Sequence, residues 1–406
     1  PNILFIQVDQ LTALTLRAYG DPVCHTPTLN RLTEKGVVFE NAYCNFPLCA
    51  PSRFSMASGQ LCSAIGAYDN AAEFPAEIPT YAHYLRQAGY HTCLSGKMHF
   101  IGPDQYHGFE QRLTADLYPA DFSWVPNWDN EGKRDTNDAR SVSISGVCKR
   151  SIQIDFDEQV TQKAIEHLHH RGGNGDHRPM FLQVSYTHPH EPYLCKQEFW
   201  NLYAELPVPQ PRTAALTEQQ HDPHSVRLLR DFGMLGVEFE KKEVQRARRA
   251  YYGSVSYIDS LIERLLHALD ETGMSETTAV MFTSDHGDML GERGLWFKKH
   301  FYEHAMRVPL FLYAPWIKSE RISELVSLVD LLPTFNGLAA GHPALTEKIL
   351  RSQRRRALIR GATQNGAEVR WNHGEQSGES VPWYRGQGSY NEWALDYTPI
   401  EDNQSQ

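Results

Sequence analysis

Short, nearly continuous apolar runs alternate along this chain with longer amphipathic stretches. Residues 3–8 (Ile3-Leu4-Phe5-Ile6-Gln7-Val8) are almost wholly apolar and stop at Asp9, which predicts a strand buried on both faces with an acid at its carboxyl end. Runs of the same kind occupy 180–186, 278–283 and 308–313, with a shorter one at 91–94. Between them, 27–35, 79–88, 157–169, 241–269 and 325–338 read as helices. Gly89 closes the second, the fourth has no internal proline, and the last is read as helical despite Pro333. Strands alternating with helices predict an α/β fold, a large and mostly parallel sheet covered by helices on both faces. Open sheets of this kind bind ligands beyond the carboxyl ends of their strands. Asp9, the Gly96-Lys97-Met98-His99 segment and Ser284-Asp285-His286-Gly287-Asp288 all fall at such ends.

Two stretches break the alternation. Residues 103–150 have no regular period and are rich in Trp, Asp, Asn and Ser, as expected of a long functional loop. From His342 onward the charge is dense (Arg351, Arg354, Arg355, Arg356, Arg360), and a Gly/Ser/Asn/Trp-rich stretch follows. The expected division is a catalytic α/β domain over 1–338 and a smaller C-terminal part over 339–406, a subdomain remnant with an extended tail. No internal repeat is visible.

Composition narrows the class. The chain has 406 residues, 41% hydrophobic and 22% charged, as in an ordinary globular protein. A net charge of −10 argues against nucleic acid as the main partner, yet leaves room for a small anion in a locally positive pocket. The longest apolar runs fall far short of the roughly 20 residues that span a bilayer, so no membrane span is expected. Seven cysteines without a CxxC pair suggest free thiols and a reducing compartment. The cytoplasm is the expected location, and a leader before Pro1, hence the periplasm, stays open.

The chemistry centres on Cys49-Ala50-Pro51-Ser52-Arg53, which resembles the maturation signature of sulfatases. In that family a maturation enzyme converts the cysteine to formylglycine, an aldehyde whose hydrate supplies the nucleophile. Pro51 is expected to hold a stiff, non-helical approach, and Arg53 to set a fork of donors beside an oxyanion. Further elements resemble the family in the same chain order. Asp9 with the Asp285-His286 pair resembles the metal site, Gly96-Lys97-Met98-His99 the Gly-Lys-x-His element, and Pro189-His190-Glu191-Pro192 the Pro-His-x-Pro element. Gly294-Leu295-Trp296-Phe297-Lys298, with Tyr302-Glu303 and Arg307-Val308-Pro309 downstream, resembles the segment of the second sulfate lysine. Lys298 is that lysine by spacing, Lys299 is expected to face solvent, and His188 is not carried over. The resemblance covers roughly 1–335 and implies the alkaline-phosphatase-like fold of that family.

The resemblance implies a ligand set of Asp9, modified Cys49, Asp285 and His286, with Gln10 as a possible fifth ligand for one divalent cation. Ca²⁺ is expected, while Gln10 in place of the family's frequent second aspartate leaves Mg²⁺ and Mn²⁺ open. It also implies hydrolysis of a sulfate monoester. The metal and Arg53 hold the gem-diol, Asp285 takes a proton from the attacking hydroxyl, and Lys97 and Lys298 neutralise the sulfuryl oxygens. His190 protonates the departing alcohol, and His99 takes the remaining hydroxyl proton.

Within the family, Val8-Asp9-Gln10, Tyr68-Asp69-Asn70, the Gly96–Phe100 segment, Ser352-Gln353-Arg354-Arg355-Arg356 and Asp396-Tyr397-Thr398-Pro399 resemble choline sulfatases. That implies choline-O-sulfate as substrate, contacted by Asn70, Trp124 and Asp396. Trp124 would offer an aromatic face, with Trp128 an equal candidate, and Asp396 a carboxylate from the tail of a neighbouring subunit in a homo-oligomeric dimer or tetramer. Two departures stand out. The polar Asp135-Thr136-Asn137-Asp138 replaces an aromatic and histidine patch. Asp330-Leu331-Leu332-Pro333-Thr334 also runs almost directly into His342, so that part is truncated or, the reading adopted here, the consecutive numbers Gly341 and His342 skip residues. The competing functions are an aryl or other alkyl sulfatase, a phosphonate or phosphate ester hydrolase on the same fold, and a non-catalytic metal- or sulfate-binding homologue.

Overall fold

The strand predicted at 3–8 is the centre of the sheet. In the computed structural model, which describes residues 1–121, 138–173 and 176–340, the strands are β1 (Asn2–Val8), β2 (Val37–Tyr43), β3 (His91–Gly96), β4 (Gln111–Arg112), β5 (Gly146–Val147), β6 (Met180–Ser185), β7 (Leu194–Cys195), β8 (Thr278–Ser284), β9 (Leu310–Tyr313) and β10 (Glu320–Ser327). Eight of them form one sheet in the order β10-β2-β9-β8-β1-β6-β3-β4, and β5 pairs with β7 separately. All pairings in the large sheet are parallel except those of β9, which runs antiparallel to β2 and β8.

Alternate residues of β1 feed two cores. Leu4, Ile6 and Val8 pack on one face with the helices Pro27–Lys35, Ile152–Gly173 and Lys241–Glu271. Ile3 and Phe5 pack on the other with Cys49–Ser58, Tyr81–Gln87 and Leu331–Ala339. Phe5 lies 5.1 Å from Phe335 and edge-on to Tyr81 at 6.2 Å, so aromatic packing fixes how the second helix layer seats. Helices therefore cover both faces, as the alternation predicted.

Several boundaries moved. The helix expected at 79–88 starts at Tyr81, because the Thr80 hydroxyl caps it by accepting the Ala82 N–H at 3.2 Å. The helix expected at 325–338 is β10 as far as Ser327, and its helical part is Leu331–Ala339. The switch is set by Asp330, whose carboxylate accepts the Ser327 N–H at 3.0 Å. Pro333 is the third residue of that helix, where its missing N–H has no intrahelical partner to lose. The irregular 103–150 stretch contributes β4 to the sheet edge and β5 to the small pair. Trp124, Trp128 and Asp396, with everything from 341 on, lie outside the described residues. Among the described residues no helix is long and apolar enough to cross a membrane.

Candidate active site

Register brings the strand-end residues together. Val8 pairs with Ser284 across β1 and β8, so Asp9 and Asp285 leave the sheet side by side. Ser185 of β6 pairs with both Gln7 and Gly96, which places Lys97 on the same edge as Asp285 with two strands between them. Gly96 is required there: at φ +110, a Cβ would sit 1.9 Å from the Ser185 carbonyl oxygen. Gly287 is equally constrained by the His304 carbonyl oxygen, also 1.9 Å from any Cβ.

Cys49 is the first residue of the helix Cys49–Ser58, after an extended Leu48. Pro51 thus does not hold a non-helical approach; it is the third residue of the helix, a position that tolerates proline. Ser52 Oγ donates to the Asp285 carbonyl at 2.5 Å, seating the helix on the end of β8. Asn70 Oδ1 accepts the Ala50 N–H at 3.0 Å, and its buried Nδ2 has no partner among the described residues, leaving an amide donor for a bound group.

Asp9, Cys49, Asp285 and His286 converge, each offering one ligand atom within 4.8 Å of the others, and all four are buried. His286 Nε2 lies 3.3 Å from the Cys49 Sγ, 3.8 Å from Asp9 Oδ1 and 3.7 Å from Asp285 Oδ1. Its Nδ1–H donates to the Gly287 carbonyl at 3.0 Å, so Nε2 is the nitrogen that faces the cluster. Two carboxylates, an imidazole and residue 49 suit a divalent cation, and an oxygen in place of sulfur at residue 49 would shift the set towards Ca²⁺, Mg²⁺ or Mn²⁺.

Gln10, expected as a fifth ligand, is engaged elsewhere. Its backbone sits in the left-handed region (φ 65), and its Nε2 donates to Glu191 Oε2 at 2.5 Å and Asp288 Oδ2 at 2.6 Å. Its Oε1 accepts from Lys298 Nζ at 2.7 Å. The amide thus ties Lys298 to Glu191 and Asp288.

Arg53 reaches both metal-site carboxylates. Nε donates to Asp285 Oδ2 at 2.8 Å, NH2 to Asp9 Oδ2 at 3.1 Å, and NH1 to the Lys97 carbonyl and Ser185 Oγ at 2.6 and 2.9 Å. Four of its five N–H groups are engaged in this way, two of them bracing the carboxylates of Asp9 and Asp285. Burial and the neighbouring Cys49 push the Asp9 carboxyl up, but Lys97, which pairs with it, His190 and Arg53 outweigh them and hold it at about 2. Burial raises the Asp285 carboxyl above its ordinary value despite Arg53.

Both lysines act on residue 49 but have different carboxylate partners, Asp9 for Lys97 and Glu191 for Lys298. Lys298 Nζ is 2.6 Å from His190 Nε2 and 3.0 Å from Glu191 Oε1. His190 Nδ1–H donates to the Glu191 carbonyl at 2.6 Å, with the Glu191 carboxylate 3.2 Å away. With Nδ1–H donating, Nε2 is left as the acceptor for the Lys298 ammonium. Burial opposes ionisation at residue 49, yet Lys97, His286 and Lys298 hold the thiol well below its ordinary pKa, and His190 and His99 hydrogen-bond it. The pocket favours negative charge at this one position. His188 turns away to Asp157, 2.7 Å from its Nδ1. Lys299 is half-buried rather than solvent-facing: its Nζ lies 5.2 Å from the Phe232 ring centroid, and burial with Lys298 lowers it to about 8.

Sequence reasoning missed Glu191 and Asp288. Both sit inside motifs already singled out, at the variable position of Pro189-His190-Glu191-Pro192 and three residues after Asp285. Among the described residues, the structure brings together Asp9, Cys49, Arg53, Lys97, His99, His190, Asp285, His286 and Lys298, with Asn70 at Ala50.

The sulfatase family model matches residues 1–342. A choline-sulfatase of Rhizobium meliloti is 43% identical over 345 residues, covering 84% of this chain and 67% of its own length. An arylsulfatase of Clostridium perfringens is 30% identical, covering 82% of this chain and 74% of its own length. A phosphonate monoester hydrolase structure from Silicibacter pomeroyi has a TM-score of 0.65 at 24% identity, covering 84% and 73% of the two chains, and supports the fold alone. With the family match extending over most of the chain and the site assembled from that family's elements, this protein belongs to the sulfatase family of sulfate-ester hydrolases.

Proposed function

We propose that the chain hydrolyses choline-O-sulfate through a formylglycine hydrate at residue 49. The observation that carries this reading is the concentration of Lys97, Lys298, His190 and His286 on residue 49, inside an intact Cys49-Ala50-Pro51-Ser52-Arg53 signature. A divalent cation held by Asp9, residue 49, Asp285 and His286 would supply Lewis-acid polarisation and lower the hydroxyl pKa. Asp285 takes the proton of the attacking hydroxyl as its oxygen bonds to sulfur. Lys97 and Lys298 stabilise charge on the sulfuryl oxygens, and Asn70 offers a further donor. The bond from sulfur to the alcohol oxygen breaks, and His190 gives that oxygen its proton. His99 then takes the proton of the remaining hydroxyl, the carbonyl re-forms, and the bond from carbon to the sulfate oxygen breaks to release sulfate. Water re-hydrates the aldehyde.

Identity with the Rhizobium meliloti choline-sulfatase favours choline as the leaving alcohol. Trp124 and Asp396 are the proposed contacts for the trimethylammonium group, worth roughly 0.5–2 kcal/mol for the aromatic face. Asp396 is proposed to come from the tail of a second subunit, which truncation after Gln364 tests through molar mass and KM. The partner that matures Cys49 is a formylglycine-generating enzyme. All seven cysteines are buried free thiols, which supports a cytoplasmic setting. Turnover of choline-O-sulfate against an aryl sulfate and a matched phosphate monoester tests the assignment. A preference for the phosphate would move the chain to the phosphoester alternative.

Lys97→Ala and Lys298→Ala are each expected to lower kcat by about 10²–10³, the scale of one lost charge-stabilising donor. Lys97→Ala takes one of two cations from buried Asp9, and Lys298→Ala takes the lysine from buried Glu191, so thermal unfolding is measured alongside. His190→Ala is expected to slow choline-O-sulfate far more than an activated aryl sulfate, because an acid matters most for a basic alkoxide. Equal losses on the two esters would remove His190 from that role.

A further inference from the structure

We propose that Asp116, locked by Arg112, is a positioning residue that sets the Lys97–His99 turn. The inference rests on the reading of Lys97 and His99 as catalytic. Every backbone N–H from Gly96 to His99 has an acceptor. Gly96 donates to Thr114 Oγ1 at 2.8 Å and Lys97 to the Ser185 carbonyl at 3.0 Å. Met98 and His99 donate to the same oxygen, Asp116 Oδ2, at 2.9 and 2.8 Å. Arg112 NH2 donates to that oxygen as well, at 3.0 Å, and the Asp116 side chain is only 3% exposed.

Arg112 is itself fastened. Its Nε donates to the Thr114 carbonyl at 3.2 Å, and its NH1 to the carbonyl and Oε1 of Gln105 at 3.0 and 2.8 Å. Gln105 Nε2 closes the circuit by donating to the carbonyls of Phe100 and Gly102 at 2.9 and 2.8 Å. The turn needs this support because His99 has φ 62, a left-handed conformation that a residue with a Cβ adopts only when its surroundings impose it. Tyr118, two residues after Asp116, lies against both functional side chains. Its ring centroid is 5.1 Å from that of His99 and 4.2 Å from Lys97 Nζ. A carboxylate oxygen taking two adjacent amides is therefore what aims the His99 ring at residue 49. Neither motif nor spacing marks Asp116, which lies 17 residues after His99.

The test compares Asp116→Ala and Asp116→Asn in the mature, metal-loaded enzyme by three measurements. These are hydrogen exchange of the 96–101 segment, kcat and KM on choline-O-sulfate and 4-nitrophenyl sulfate, and the unfolding temperature. For Asp116→Ala, exchange at Met98 and His99 is expected to rise at least about tenfold, with kcat falling about 10- to 100-fold and KM within about threefold. Asp116→Asn keeps an acceptor oxygen and is expected to recover most of both losses. Wild-type exchange in Asp116→Ala, a rise in KM with kcat unchanged, or equal losses in the two variants that follow the unfolding temperature would each overturn the proposal. A wild-type enzyme inactive on both esters would instead refute the sulfatase mechanism above, and the exchange comparison would still decide the clamp.

Discussion

Cys49→Ala is expected to abolish turnover, a loss on the order of 10⁶ in kcat if residue 49 is the nucleophile. The fold should survive. Cys49 is wholly buried at the first position of its helix, where alanine is sterically compatible, and only the sulfur is lost. That costs roughly 1 kcal/mol, the ordinary scale of a single substitution. What disappears is the one atom on which Lys97, His286, Lys298, His190 and His99 act together. The companion measurement is the mass of the residue-49 peptide in active wild-type protein. Conversion of the thiol side chain to an aldehyde removes about 18 mass units before hydration. Active enzyme carrying only the thiol mass would defeat the formylglycine mechanism, whatever the alanine variant does.

Stripping the divalent cation with a chelator is expected to cost roughly 10³ or more in rate, the several kcal/mol that a Lewis acid contributes to transition-state charge. Added Ca²⁺ should restore it. Stability should change far less than activity. Two carboxylates, an imidazole and residue 49 within 4.8 Å would repel one another if unpaired, but Arg53 bridges Asp9 and Asp285, and Lys97 adds a second cation to Asp9. These protein charges keep the ligand cradle assembled without metal. Asp9→Asn removes one negative ligand and loosens the hold on Lys97, so metal content should fall about 10- to 100-fold in affinity while circular dichroism stays native. A chelated enzyme at full rate would remove the cation from catalysis.

The types of chemistry in this site were legible early because they travel in short, local patterns. An apolar run ending in an acid marks a buried strand with a ligand at its end, and both β1 and β8 read that way. β2 and β10 did not. β2 carries Glu40-Asn41 in its middle, and β10 is an edge strand with Glu320, Arg321 and Glu324 on it, so neither shows a continuous apolar run. The turn at Asp330 was hidden for the same reason that caps often are: one carboxylate accepting one N–H decides between strand and helix.

By itself, the sequence determined the α/β class, the order of the motifs, and the residue types needed for a metal, a nucleophile, two lysines and an acid. Only the tertiary structure decided who partners whom. The pairing of Val8 with Ser284 puts Asp9 beside Asp285, and the left-handed backbone at Gln10 accompanies an amide bound to Glu191, Asp288 and Lys298. Arg53 turned out to brace two carboxylates 44 and 232 residues away, and Asp116 to support a turn 17 residues behind it. The physical reason is that hydrogen bonds and ion pairs depend on distances of about 3 Å, and those distances are set by strand register and loop closure over separations that local pattern does not encode.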